Sequence, residues 1–349
     1  MGFFELLTEI AVRAIFWLLL MKQLVALVAS FTFVLGVGIG YLLFKTPVAK
    51  QVSSNQKLEE IRSDGYKFIS PLLECEVSGG SRLNALDALQ SKNRELINSL
   101  VAAGEVKEAA VYFRELNNGP AFGVNQDIDF TPASLLKLPV MMAYLKYYDD
   151  EPEKLTTVKY KFEDKHAVID QSIKPTETLE VGREYTIMEL IEKMMIYSDN
   201  ASLVVLEDNI APALIDKVTL DLGIETAGEH TPDDYMSVRG YATLFRILYN
   251  ASYLEKDMSE KALEILSKST FGDGIEAGLP AGITVAHKFG ERELANGVIQ
   301  LHDCGIVYYP NSPYLMCIMT RGTDIRKSAN AIAKISAITY EGLKDYLKK

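Results

Sequence analysis

The sequence predicts an α+β fold: an antiparallel sheet of about five strands flanked by helices, with an all-helical lobe inserted between early and late strands, behind an N-terminal transmembrane helix. Three observations point there. Two strand patterns lie just after residue 107, and a mostly helical stretch follows from Thr186 to about Ser267. Three further strand patterns and a last helix close the chain. Early and late strands of one chain can share a sheet, and the helical block between them then makes its own lobe. Ahead of all this stands an uncharged apolar run of membrane length.

Residues 1–45 read as an extension and transmembrane helix. "LVALVASFTFVLGVGIGYLLF", Leu24 to Phe44, is 21 residues without a charge. At about 1.5 Å per residue it spans roughly 30 Å, the thickness of a bilayer core. Lys22 and Lys45 bracket it. It is too long for most signal-peptide apolar regions, and no small-residue cleavage site follows it. An uncleaved single-pass anchor is expected, with the folded part on the extracytoplasmic side. The flanking charges, Arg13 and Lys22 against Lys45 and Lys50, do not by themselves settle the orientation. "MKQ" at Met21 is a second plausible start. Residues 46–80 are polar, end in "SGGS" and read as a stem; "FISPLLECEV" inside it is a candidate extra strand.

The folded body is expected over 81–349. Leu83, Leu86, Leu89, Leu96, Ile97 and Leu100 recur at helical spacing up to about Ala103. "EAAVYFREL" and "GPAFGVNQ" read as strands joined at an Asn-Asn-Gly turn. The "SLLK" helix follows, and then the helical block. "ITVAHKFG", "GVIQLHDCGIVYY" and "PYLMCIMTRG" read as the late strands, and a final helix runs from about Asp324 to Tyr346.

Composition narrows the function. Hydrophobic residues make up 48% and charged residues 24%, ordinary for a folded chain, and the net charge is −11. An acidic chain without a basic cluster does not suit nucleic acid, which needs Lys and Arg to replace counterions. The three cysteines, Cys75, Cys304 and Cys317, form no CxxC and no Cys/His cluster, so neither a metal site nor a cofactor is expected. Cys304 and Cys317 flank "YYPNSPY", a hairpin turn signal, so the two lie near each other across strands. Buried free thiols are the favoured reading and a disulfide the alternative.

Three motifs carry chemistry. Ser134 and Lys137 stand at i and i+3, one face of a helix. A serine needs an activating base, and an amine desolvated beside other cations has a lowered pKa and can accept its proton. Pro132 just ahead suits a helix start, where unpaired N–H groups favour an oxyanion. The second motif is Ser198-Asp199-Asn200 at the end of an apolar helical run. The third is Lys288-Phe289-Gly290 on a strand. Each alone is explained by a cap, a turn or an exposed lysine.

Together and in this order, S-x-x-K, S-D-N and a strand K-x-G resemble the penicillin-recognising serine enzymes, the class A β-lactamases and penicillin-binding proteins. "YTIMELIEKMMIYSDNAS", "MSVRGYATLFRILYN" and "GIEAGLPAGITVAHKFG" are similar to segments of that family, and the likeness covers about Leu83 to Lys349. The resemblance implies a β-lactamase/transpeptidase-like fold. It implies Ser134 as the acylated nucleophile and Lys137 as its base or proton relay. Ser198 then passes the proton to the leaving nitrogen, and Asn200 bonds the substrate amide. Lys288 supplies charge for a substrate carboxylate, with Gly290 and Glu291 beside the substrate. The N–H groups of Ser134 and Glu291 would form the oxyanion hole, and Asp199 would brace the turn.

The pattern breaks in two places. Class A β-lactamases carry a glutamate on a long loop that activates the deacylating water. Here Ser198 to Ser237 is only 39 residues, and "LGIETAGEHTPDDYMSV" lacks the family's E-x-x-L-N. Val204 stands where an asparagine usually holds that loop. The deacylating glutamate is therefore read as absent, with Glu229 or Asp233 as substitutes; Glu225 and Asp234 are the other acids there. Phe289 stands where Thr or Ser usually donates to the substrate carboxylate; Arg292 is a replacement charge, or the substrate differs. Three functions follow: a slow membrane-anchored β-lactamase, a cell-wall D,D-peptidase or transpeptidase acting on peptidoglycan peptides, and a non-hydrolytic penicillin-binding sensor.

Overall fold

The computed structural model describes residues 17, 20–25, 27–36, 56–79, 83–117, 119–164, 168, 171–224, 233–294 and 296–347. Two compact units cover 1–56 and 57–349. In the first, residues 20–25 and 27–36 are helical, and Leu24, Val28, Phe31, Phe33 and Val34 are all exposed. Among the described residues no helix is long and apolar enough to cross a membrane. Of the predicted run 24–44, residues 26 and 37–44 lie outside the described residues.

The second unit opens on a two-stranded sheet, β1 (Gln56–Arg62) with β2 (Leu72–Gly79). The candidate extra strand thus pairs with its own neighbour and not with the main sheet. Between the two, Phe68 and Ile69 are buried in the main core. The Glu260 carboxylate accepts from the N–H groups of Lys67, Phe68 and Ile69. Part of the predicted stem thus packs with the body, because it has apolar side chains to bury.

Helix α1 (Leu83–Ala102) leads into β3 (Glu108–Glu115) and β4 (Ala121–Val124). Two-residue β5 (Asp129–Phe130) precedes a 3₁₀ turn, Ala133–Leu136, and helix α2 (Lys137–Tyr147). Short α3 (Lys154–Thr157) and the strand pair β6 (Lys159–Lys161) and β7 (Glu184–Thr186) lead to α4 (Ile187–Ile196). Then come α5 (Asn200–Asp208), α6 (Pro212–Asp221), β8 (Met236–Ser237, paired with β5), α7 (Val238–Asn250) and α8 (Lys256–Leu266). Strands β9 (Val285–Glu293), β10 (Ile299–Val307) and β11 (Tyr314–Gly322) and helix α9 (Ile325–Leu347) close the chain.

The main sheet has five strands in the order β4-β3-β11-β10-β9, all antiparallel. Pleating sends alternate side chains to opposite faces. One face of β10, with Cys304 and Ile306, joins the core that includes α2, α4 and α7; the other, with Leu301 and Val307, joins the core under α1 and α9. Helix α2 is buried from Lys137 to Leu145 without a break, as befits a helix surrounded by others. Pro139 falls in its first turn, where no intrahelical N–H bond is lost.

Cys304 and Cys317 are directly opposed in the β10–β11 register, and their sulfurs are bonded. The expectation of free thiols is corrected here. Directly opposed residues of an antiparallel pair bring their Cβ atoms close, and this hairpin puts two cysteines in one such pair.

Candidate active site

Ser134 and Lys137 do not share one α-helix. Ser134 lies in the 3₁₀ turn, and Lys137 is the first residue of α2. Ala133 has left-handed backbone, φ 49°, which lets the chain turn sharply between Pro132 and Ser134. The side chains part in environment: Ser134 is partly exposed, and Lys137 is 1% exposed.

The turn is held from several elements. The Thr131 N–H donates to Gln300 Oε1 at 3.0 Å, and Thr131 O accepts from His302 Nε2 at 2.9 Å. Thr131 Oγ1 donates to Asp233 O at 2.5 Å, and the buried Tyr241 hydroxyl donates to Leu135 O at 2.9 Å. A Cβ added at Gly290 would lie 3.0 Å from Pro132 O and 3.1 Å from Leu135 N, so β9 approaches the turn closely enough that a larger residue would have to displace it. Since a carbonyl can only accept, His302 carries its proton on Nε2. Burial lowers its pKa to about 4, so it stays neutral.

The second motif arrives by a break between helices. A Thr186–Glu189 capping box starts α4. After it ends, Ser198 takes left-handed backbone, φ 58°, and Asp199 caps α5. Asp199 Oδ2 accepts from the N–H and the hydroxyl of Ser202, and Oδ1 accepts from the Thr178 hydroxyl. These bonds leave Asp199 in the frame of the turn. Ser198, 1% exposed, points its hydroxyl inward.

Two lysines converge on that hydroxyl. Lys137 Nζ is 3.1 Å and Lys288 Nζ 2.9 Å from Ser198 Oγ. Lys137 also donates to Ser198 O at 2.5 Å and to Asn200 Oδ1 at 2.7 Å. Lys288, 0% exposed, donates to Phe289 O at 2.6 Å. Burial is the main cause that lowers Lys137 to about 7, against the opposing charges of Asp199, Glu291 and Glu207. Lys288 is held well below its ordinary value, first by burial and then by the Lys137 charge. Two desolvated amines bracketing one hydroxyl form a path along which a proton can move.

Phe289 is buried, stacked on Phe271 with ring centroids 4.3 Å apart, and the Lys288 ammonium nitrogen lies 4.1 Å from its ring centroid. Asp303, opposite Phe289 in the strand register, accepts from His287 Nδ1 and from Ile275 N, which fixes the loop that carries Phe271. Glu291 reaches across to another segment, accepting from the N–H groups of Ser172 and Ile173 at 2.6 and 3.2 Å. Arg292 is exposed.

The structure thus brings together Lys137, Ser198, Asn200 and Lys288, with Ser134 and Gly290 on the adjoining turn and strand. Of the acids considered for deacylation, Glu225 and Glu229 lie outside the described residues. Asp234 is tied to Gln300 and Arg321. The sequence reading missed Thr131, Tyr241, Gln300 and His302. Gln300 and His302, two residues apart on a strand otherwise rich in apolar residues, were the available signal. Among the described residues no group of His, Cys, Asp and Glu could hold a metal.

A sequence profile described as "Beta-lactamase enzyme family" matches residues 92–343. Comparison with curated proteins returns no match. Among solved structures, a PBP-A mutant, described as an acyl-enzyme complex with penicillin G, is similar over 74% of this chain and 97% of its own, with TM-score 0.62 and 23% identity. A β-lactamase from Sphaerobacter thermophilus covers 73% of this chain and 97% of its own, at TM-score 0.61 and 20% identity. A class A β-lactamase representative from Bacteroides cellulosilyticus covers 74% and 99%, at TM-score 0.60 and 20% identity. At these identities the likeness is one of fold.

Proposed function

The chain belongs to the β-lactamase enzyme family, and from that premise we propose that it is a serine hydrolase acylated at Ser134 by β-lactams or related amides. The observation that carries the reading is the convergence of Lys137 and Lys288 on Ser198 Oγ beside the Ser134 turn. Ser134 Oγ attacks the carbonyl carbon and its proton passes to neutral Lys137. The C–N bond breaks, and the leaving nitrogen takes a proton from Ser198, which Lys137 replaces. A neutral amine has two N–H groups and a lone pair, so it cannot keep donating to all three of its present acceptors. That gives Lys137 a reason to exchange a Ser198 contact for Ser134. Asn200 is assigned to the substrate amide, and the N–H groups of Ser134 and Glu291 to the oxyanion.

Release of the acyl group is the slow step in this reading. The family's E-x-x-L-N is missing and Val204 replaces the loop-holding asparagine. Those same losses favour a second reading, a D,D-peptidase or penicillin-binding protein that keeps its acyl group; a mutant of PBP-A, of similar fold, is described as an acyl-enzyme complex with penicillin G. The apolar residues 24–44 are assigned to a membrane anchor and the body to the extracytoplasmic side. The Cys304–Cys317 bond supports that placement, since disulfides persist in oxidising compartments.

Fluorescent penicillin and a chromogenic cephalosporin test the reading. A covalent label that disappears in Ser134→Ala, with little colour, is expected. Rapid colour identifies a fast β-lactamase, and neither label nor colour overturns the β-lactam reading.

A further inference from the structure

Both amines near Ser134 are buried and committed within the protein. Lys137 holds Ser198 and Asn200, and Lys288 holds Ser198 Oγ and Phe289 O. Gly290 is the strand residue packed against the nucleophile turn. Phe289 and Glu291 flank it in sequence, and the Phe289 ring centroid lies 4.1 Å from Lys288 Nζ, which is itself 2.9 Å from Ser198 Oγ. Phe289 offers no hydrogen-bond donor, and its ring is buried against Phe271. Glu291 brings a carboxylate, fixed by the N–H groups of Ser172 and Ile173. Its field reaches Lys137. The exposed cation of β9 is Arg292, and its field falls on Tyr235. β9 is also an edge strand of the sheet, the side of the body along which an acyl donor can lie.

Resting on the serine hydrolase reading, we propose that this site selects acyl donors that carry no carboxylate beside the scissile bond, neutral esters or amides, with Phe289 and Glu291 as its specificity-determining residues. A carboxylate placed there meets a fixed negative charge and an aromatic ring, and the two amines beside Ser198, Lys137 and Lys288, are already bonded within the protein. Lys288 is held inward by its bonds to Ser198 Oγ and Phe289 O, beside the Phe289 ring.

The test uses the full chain in detergent and a matched pair of donors, benzylpenicillin and its methyl ester, which differ at the carboxylate alone. An uncharged p-nitrophenyl ester is the third probe, and intact mass reports Ser134 acylation. The methyl ester is expected to acylate about tenfold faster than the free acid, the scale of one charged hydrogen bond lost. Glu291→Gln keeps an acceptor for Ser172 and Ile173 while removing the charge, and it should narrow the gap by speeding the free acid. Phe289→Thr should do the same by adding a donor; as a core change it is read only if it folds. Free acid reacting as fast as the ester, or slowed tenfold by Arg292→Ala, overturns the inference and leaves the hydrolase reading standing. Acylation by the p-nitrophenyl ester with neither penicillin reacting supports the neutral-donor inference and overturns the β-lactam reading. No acylation by any of the three overturns both.

Discussion

Ser198 occupies left-handed backbone, which costs a non-glycine residue about 1–2 kcal/mol. The cost is offset on both sides, by the end of α4 and by the Asp199 cap of α5, and the result is a buried hydroxyl between two amines. Charge decides when that arrangement works. Lys137 must be neutral to accept a proton, and its pKa is lowered to about 7. Acylation should therefore slow as pH falls below 7, approaching tenfold per unit, and level off above it. The labelling rate between pH 5 and 9 checks this, and a flat profile would remove Lys137 as the base. Lys137→Ala should lose roughly 10²–10⁴-fold in labelling rate. These residues were legible because each motif sits in consecutive or near-consecutive positions. Thr131, Gln300 and His302 were not, because no local pattern links residue 131 to residues 300 and 302.

At the scale of elements, strand β9 and the 3₁₀ turn fit against each other through Gly290. Gly290→Ala places a methyl group 3.0 Å from Pro132 O and 3.0 Å from Leu135 Cγ. Either the turn or the strand must shift, at a cost of about 1–3 kcal/mol. The urea midpoint should fall and Ser134 labelling should drop with it; unchanged labelling in a folded variant would separate the turn from the strand. The segment before the body offers a parallel case. Glu260 accepts from three consecutive backbone N–H groups at Lys67, Phe68 and Ile69. Glu260→Ala leaves partly buried donors unpaired and should cost about 1–3 kcal/mol in urea unfolding. Sequence pattern located the five main strands and the long helices closely, because each is an apolar or periodic run bounded by turn residues. It did not separate the 3₁₀ turn from α2 or pair β2 with β1, since both depend on partners outside the local window.

For the whole molecule, the sheet divides two cores, and the disulfide joins two of its central strands, β10 and β11. Replacing both cysteines with alanine should lower stability by about 2–4 kcal/mol, read from urea unfolding under oxidising conditions. A stability that does not change would mean that packing alone holds the hairpin. The same bond bears on location. The full chain is expected in the membrane fraction, resistant to alkaline carbonate and released by detergent, while a chain beginning at residue 57 is expected in the supernatant. Recovery of the full chain without detergent would remove the anchor.

The amino-acid sequence by itself determined the family, the order of the five main strands around a helical block, and the four polar residues that meet in the site, because hydrophobic period and short motifs are local properties of the chain. Tertiary structure decided the rest: that the cysteines are bonded, that Lys288 is turned inward under the Phe289 ring, that Glu291 spans to Ser172 and Ile173, and that His302 and Gln300 hold the nucleophile turn. Each of these depends on strand register and close approach between residues far apart in sequence, and such contacts exist only once the sheet has formed.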